Sequence, residues 1–203
     1  EDVNLTSNIL GLSFGYHDSG VAVLRDGKPI AFANEERFSF KKNDLRFPNS
    51  AIERLLKYCG LTTADIDTVI YYEDPALKAD RVVAMARQHQ PDPEGYLRSV
   101  RESWRQRQCL LPLYSISTNL GIPEERVHCV KHHESHAALA YFMSPFTKAL
   151  VVTLDGIGEY ETLTAWIGDG QALKQIQTMK IPNSVGLLYS AITYFCGFNA
   201  NEG

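Results

Sequence analysis

The chain has 203 residues, 44% hydrophobic and 22% charged, an ordinary globular composition that suffices for one large domain or two small ones. With 20 Lys and Arg against 24 Asp and Glu, a formal net charge of -4, it lacks the basic footprint of a nucleic-acid or anionic-membrane binder. The opening Glu-Asp-Val-Asn-Leu-Thr-Ser-Asn has no basic region ahead of an apolar stretch, and no segment approaches the roughly 20 apolar residues of a membrane helix; the expectation is a cytoplasmic protein with no nucleic-acid and no membrane partner.

The missing initiator Met points to a trimmed start or a tag remnant over residues 1–7. Ile9 to Glu36 alternates in the strand manner, broken by the turn Asp26-Gly27, and predicts an antiparallel meander. Asn49 and Ser50 are placed to cap a helix whose buried face carries Ile52, Leu55, Leu56 and Tyr58, with Gly60 as its stop. Asp67 to Tyr72 reads as a short buried strand. From Ala76 to Gln108 the chain is polar and arginine-rich, interrupted by Pro91 and Pro93, which fits two solvated helices inserted at about 76–120.

Val127 to Lys131 predicts another strand, and the helix formers after His132-His133-Glu134-Ser135-His136 predict a helix. A second meander follows in Ala149 to Asp155, Thr162 to Gly168 and Leu173 to Lys180, then a helix over Gly186 to Phe195 closed by Gly197. Two meanders flanked by helices imply an α/β domain with a mixed sheet. No internal repeat is visible. Cys59, Cys109, Cys129 and Cys196 have no paired CxxC spacing and are expected to be four buried, reduced thiols.

The strongest chemical signal is His132 with His136, because an i, i+4 spacing on a helix puts two imidazoles on one face within reach of one metal ion. Asp155, at the end of the apolar strand Ala-Leu-Val-Val-Thr-Leu, is the candidate third ligand, standing where a bound ligand meets the carboxyl end of a strand. Two imidazoles and a carboxylate leave coordination positions open, as in non-haem iron or catalytic zinc sites. Spacing alone does not separate such a pair from incidental surface imidazoles. His133 points about 100° away and, like Glu134, is read as a supporting or capping residue.

Gly156 and Gly158 let backbone approach a ligand closely and, with Lys42, form the candidate cofactor-binding set. The glycine-rich turn Gly11 to Gly20 carries the polar side chains of His17 and Asp18, which only a family resemblance makes candidate catalytic residues. It is a weak phosphate motif, without the lysine of a P-loop, and an ordinary hairpin turn is its simpler reading. Arg37 and Lys42 follow the first meander, either as compensated surface charges or as phosphate contacts.

Taken in order, these pieces resemble the O-carbamoyltransferases of nodulation-factor and antibiotic biosynthesis. The resemblance rests on Ile9 to Leu24 with His17 and Asp18, Glu35-Glu36-Arg37-Phe38 with Lys42, and Phe47-Pro48 before a helix. It continues through His132 to Ala138, Leu154 to Glu159, and Gly186 to Thr193 with Gly197-Phe198 and Glu202-Gly203. It implies an RNase H-like (actin-like ATPase) mixed sheet flanked by helices, the first half of a duplicated fold, over residues 8–203. A second half and a YrdC-like domain are expected beyond Glu202-Gly203, so this stretch is expected to be inactive alone.

The resemblance further implies that ATP and carbamoyl phosphate form a carbamoyl-adenylate, whose carbamoyl group passes to the hydroxyl of a sugar, aminoglycoside or other natural product. It assigns His132, His136 and Asp155 to a divalent metal, Fe2+ first with Zn2+ or Mn2+ as alternatives, completed by a later aspartate. It places His17 and Asp18 near the transferred group and Lys42 at phosphate. The oligomeric state stays open, a homodimer among the options. Two rivals are a sugar- or acetate-kinase-like phosphotransferase, which needs a DxGxT-type turn that Ser13 to His17 does not supply, and a non-catalytic nucleotide- or metal-binding module.

Overall fold

A computed structural model describes residues 7–199; Glu202-Gly203 and the first six residues lie outside them. The chain divides into two compact units, Glu1–Pro75 with Val82–Cys129, and Ala76–Arg81 with Val130–Gly203. No helix among the described residues is long and apolar enough to cross a membrane.

The first unit opens with β1 (Asn8–Ser13), β2 (Gly20–Arg25) and β3 (Lys28–Asn34), the predicted meander, antiparallel throughout. A helical turn, α1 (Glu36–Ser39), and α2 (Asn49–Cys59) lead to β4 (Thr68–Tyr71), followed by α3 (Pro75–His89), α4 (Pro93–Gln106), α5 (Pro112–Leu120) and β5 (Val127–Cys129). The sheet order is β3-β2-β1-β4-β5, with β4 parallel to β1 and β5 parallel to β4. This is the mixed α/β sheet expected of an RNase H-like unit. The period-2 alternation of β1 sends Leu10 and Leu12 into a core with Val21, Val23, Val69 and Tyr71, closed by Ile52, Leu55 and Leu56 of α2 and by Ile116 and Leu120 of α5.

Two details of α2 differ from the sequence reading. Tyr58 is 82% exposed, because the apolar stripe of the helix already closes over Ile52, Leu55 and Leu56 and leaves the next position facing water. Neither Asn49 nor Ser50 caps it. The buried carboxylate of Glu35 accepts from the Ser50 and Ala51 N–H groups at 3.3 and 2.8 Å, a distant acid doing what a local cap would do. Gly60 stops the helix as expected, at φ 67°. None of the four cysteines forms a disulfide, but only Cys109 is buried; Cys59 and Cys129 are half-buried and Cys196 is exposed.

In the same unit Asp44 is buried and Arg46 forks onto it, Nε at 2.9 and 3.2 Å and Nη2 at 2.5 Å, while the Arg46 N–H donates to the same carboxylate at 3.1 Å. The guanidinium hydrogen bonds hold the Asp44 carboxyl well below the usual carboxylate range. A carboxyl depressed in the folded state contributes stability that is complete above its unfolded pKa, about 4, and is lost as pH falls toward its folded value. Asp44→Asn is therefore expected to cost about 1–2 kcal/mol at neutral pH and to flatten the loss of stability below about pH 4. Urea titrations at pH 7 and pH 3 check this, and an Asn variant with the wild-type pH profile would contradict it.

The second unit holds α6 (His132–Phe142), β6 (Lys148–Leu154), β7 (Glu161–Asp169), β8 (Ala172–Lys180) and α7 (Val185–Phe195). The two meanders thus lie in separate sheets, the second being β6-β7-β8, antiparallel in both pairings. Three antiparallel strands in sequence order followed by a helix repeat the topology that opens the chain, although no sequence repeat announces it. The i, i+4, i+8 face of α6, His133, Ala137 and Tyr141, packs on Val151 and Trp166. α7 buries none of its residues; Leu188, Tyr189, Ile192 and Phe195 are exposed.

Candidate metal centre

His132 and His136 stand one turn apart at the start of α6, and β6 ends so that Asp155 meets them. One ligand atom from each of the three lies within 4.8 Å of the others. The two imidazole Nε2 atoms are 3.1 Å apart. Asp155 Oδ2 lies 2.5 Å from His132 Nε2 and 3.6 Å from His136 Nε2. Bonds of about 2.0–2.2 Å to one divalent ion place neighbouring ligand atoms roughly 2.8–3.6 Å apart, from octahedral to tetrahedral geometry, so two of the three edges match a coordination polyhedron and the third is a short hydrogen bond. Each imidazole nitrogen offers either one proton or one lone pair; a cation can take a lone pair from all three atoms at once. Hydrogen bonds from His132 and then His136 hold the Asp155 carboxyl well below the usual carboxylate range, with the Gly156 N–H adding to them, so the acid stands ionised and ready to bind.

The loop from Asp155 to Glu159 grips His132 twice. Asp155 takes the ring, and the buried Glu159 carboxylate accepts from the His132 backbone N–H at 3.0 and 3.2 Å, satisfying an open donor of the first turn of α6. Sequence reasoning gave Glu159 no role. Its signal was an acid four residues beyond a strand-end aspartate, and nothing local says that it reaches a helix start 27 residues upstream.

Gly158 earns its place by close approach: a Cβ there would meet His133 Cδ2 at 2.9 Å and His132 Cβ at 3.2 Å, so the loop lies directly on α6. At Gly156 the nearest atom to an added Cβ is Leu187 Cδ2 at 3.7 Å.

His133, read as a supporting residue, is fully buried. Its Nδ1 lies 2.6 Å from Thr153 Oγ1 and its Nε2 2.9 Å from the Glu161 carbonyl. Thr153 Oγ1 is 2.6 Å from Thr164 Oγ1, which accepts from the Trp166 indole N–H. Burial pushes the imidazole toward its neutral form. An indole N–H only donates and a carbonyl only accepts, so with a neutral ring every proton has one direction: Trp166 to Thr164 to Thr153 to His133 to the Glu161 carbonyl. No group in this chain of hydrogen bonds is left over.

His17, Asp18 and Lys42 belong to the first unit. His17 Nδ1 lies 2.8 Å from Asp18 Oδ2, with both side chains nearly half exposed, and Tyr16 stacks beside the His17 ring at 4.7 Å. Asp18 adopts φ 49°, a left-handed conformation that Asp tolerates better than most residues. The Gly15 and Ser19 N–H groups donate to the Leu45 and Asp44 carbonyls at 2.8 and 2.7 Å. The turn bearing the His-Asp pair is thereby stitched to the loop bearing Lys42, whose residue is exposed. Arg37 is exposed beside Glu36, 3.8 Å away.

The family model for the carbamoyltransferase N-terminus matches residues 8–203. An uncharacterized protein of Synechocystis sp. is 36% identical over 203 residues, covering 97% of this chain and 33% of that protein. The nodulation protein NolNO of Sinorhizobium fredii is 29% identical over 185 residues, 90% of this chain and 26% of that protein. The chain thus spans a third or less of the length of these relatives. Among solved structures, YeaZ from Pseudomonas aeruginosa superposes with a TM-score of 0.43 at 14% identity, over 87% of this chain and 69% of that one.

Proposed function

Since the chain belongs to the carbamoyltransferase N-terminus family, we propose that it forms the metal-carrying part of a cytoplasmic O-carbamoyltransferase, which draws a carbamoyl group from carbamoyl phosphate through a carbamoyl-adenylate made with ATP and delivers it to a hydroxyl of a small natural product. The observation that carries this reading is the convergence of His132, His136 and Asp155 on one point. A divalent ion bound there, Fe2+ first with Zn2+ or Mn2+ as alternatives, would supply Lewis-acid stabilisation of negative charge on a phosphate leaving group. His132, His136 and Asp155 would hold it and leave coordination positions open. Glu159 holds the His132 main chain in place. His17, paired with Asp18, has an exposed imidazole able to take a proton from an acceptor hydroxyl at Nε2, with the carboxylate orienting the ring through Nδ1. Lys42, an exposed residue, is the cation that would meet phosphate. Gly158 lets the loop beside the cation lie against α6, and the backbone at Gly156 and Gly158 would meet the nucleotide.

The test is to give the full-length protein ATP, carbamoyl phosphate and a panel of hydroxylated acceptors, and to follow acceptor mass. A carbamoyl increment that needs both co-substrates is the expected result. A phosphoryl increment would identify a kinase-like phosphotransferase instead. Bound metal with no turnover across the panel would favour a binding module.

A further inference from the structure

We propose that Ser184, at the start of α7, is a positioning residue for Asp155, an inference that rests on the metal reading of His132, His136 and Asp155. The Ser184 hydroxyl donates toward two successive carbonyls, Asp155 O at 3.2 Å and Gly156 O at 2.7 Å, while its oxygen accepts from the Leu187 N–H at 3.0 Å. One side chain therefore caps α7 and ties that cap to the loop carrying the metal carboxylate.

The contact is close along its length. A Cβ on Gly186 would stand 2.4 Å from Asp155 O and 2.5 Å from Asp155 C and Gly156 N, so the first turn of α7 lies against the Asp155–Gly156 peptide. The rest of the Asp155 backbone is held from the other side, its N–H donating to the Thr162 carbonyl at 3.0 Å. Of the carboxylate, Oδ1 is occupied by the Gly156 N–H at 2.6 Å, which leaves Oδ2 aimed at the imidazoles. Asp155 is thus held between β7 and the α7 cap, and a rotation of its peptide would break the Ser184 hydrogen bonds. The helix buries none of its residues, and its first turn, from Ser184 to Leu187, is where it meets the Asp155–Gly156 loop. Groups that orient a metal ligand commonly set affinity by 10- to 100-fold when removed.

The experiment separates capping from positioning. Glycine is itself a good helix N-cap, so Ser184→Gly preserves α7 while deleting the hydroxyl donor; Ser184→Thr keeps both. In the full-length protein, Co2+ is the probe, with affinity from chelator competition and ligand geometry from its visible absorption bands. Ser184→Gly is expected to weaken Co2+ by roughly 10- to 100-fold and to alter the bands, with Ser184→Thr within about 3-fold of wild type and spectrally unchanged. Wild-type affinity and bands in Ser184→Gly, or equal impairment of both variants, would overturn the positioning role. His132→Ala serves as the reference: if it binds Co2+ like wild type, the metal set itself fails and the inference with it, whereas loss of binding in His132→Ala alongside an unaffected Ser184→Gly removes only the role of Ser184.

Discussion

Alanine at His132 in the full-length protein is expected to lower carbamoyl transfer on the order of 100- to 1,000-fold, the scale on which removal of one preorganised electrostatic contact acts, and to empty most of the divalent metal. The His132 ring supplies the middle atom of the cluster, within 3.1 Å of His136 Nε2 and 2.5 Å of Asp155 Oδ2. Without it the two remaining donors are 3.6 Å apart with nothing between them. The fold should survive, because the contact that organises the start of α6 is from Glu159 to the His132 main chain, and alanine keeps that N–H. Turnover, metal content by elemental analysis and the unfolding temperature, measured together, separate loss of the site from loss of the protein. Wild-type turnover in this variant would remove the catalytic reading; a collapse of the unfolding temperature would show that the ring is a packing element.

One residue further on, the same substitution should do the opposite. His133→Ala is expected to cost about 2–4 kcal/mol of stability, combining the cavity left by a fully buried ring with the buried hydroxyl of Thr153 stripped of its acceptor and the Glu161 carbonyl deprived of one of two donors. The hydrogen bonds from Trp166 to the Glu161 carbonyl run in one direction, so removing the imidazole leaves the Thr153 proton without an acceptor, while the carbonyl keeps the Gly158 N–H at 2.8 Å. Thr153→Val, nearly isosteric, should cost less, about 1–3 kcal/mol, because it leaves no cavity. Urea unfolding checks both through the midpoint at unchanged slope. A His133→Ala midpoint within error of wild type would mean that the buried hydrogen bonds carry no net stability.

These adjacent histidines mark where sequence reasoning reaches its limit. The 3.6-residue period of α6 separates them: His132 and His136 share one face, and His133 shares another with Ala137 and Tyr141. That division is local and was legible. Asp155 was legible as the partner of the first pair from its place at a strand end, but the partners of His133 were not, since Thr153 and Glu161 lie 20 and 28 residues away with nothing local to mark them. Tyr58 shows the converse error, an apolar position in helical register that the width of the core leaves outside.

By itself, the sequence determined the elements and the family: alternation gave the two meanders their strands, spacing paired two histidines, and Gly60 ended α2 because a left-handed residue needs no Cβ there. Only the tertiary structure decided that the meanders occupy separate sheets, that Glu35 and Glu159 cap helices far along the chain, and that Asp155 meets His132 and His136 under the cap of α7. The reason is physical. Periodicity and turn chemistry act over a few residues and are written locally, whereas a buried carboxylate or imidazole is placed by whichever distant donor or acceptor keeps it from being left unsatisfied, and that choice exists only once the strands have paired.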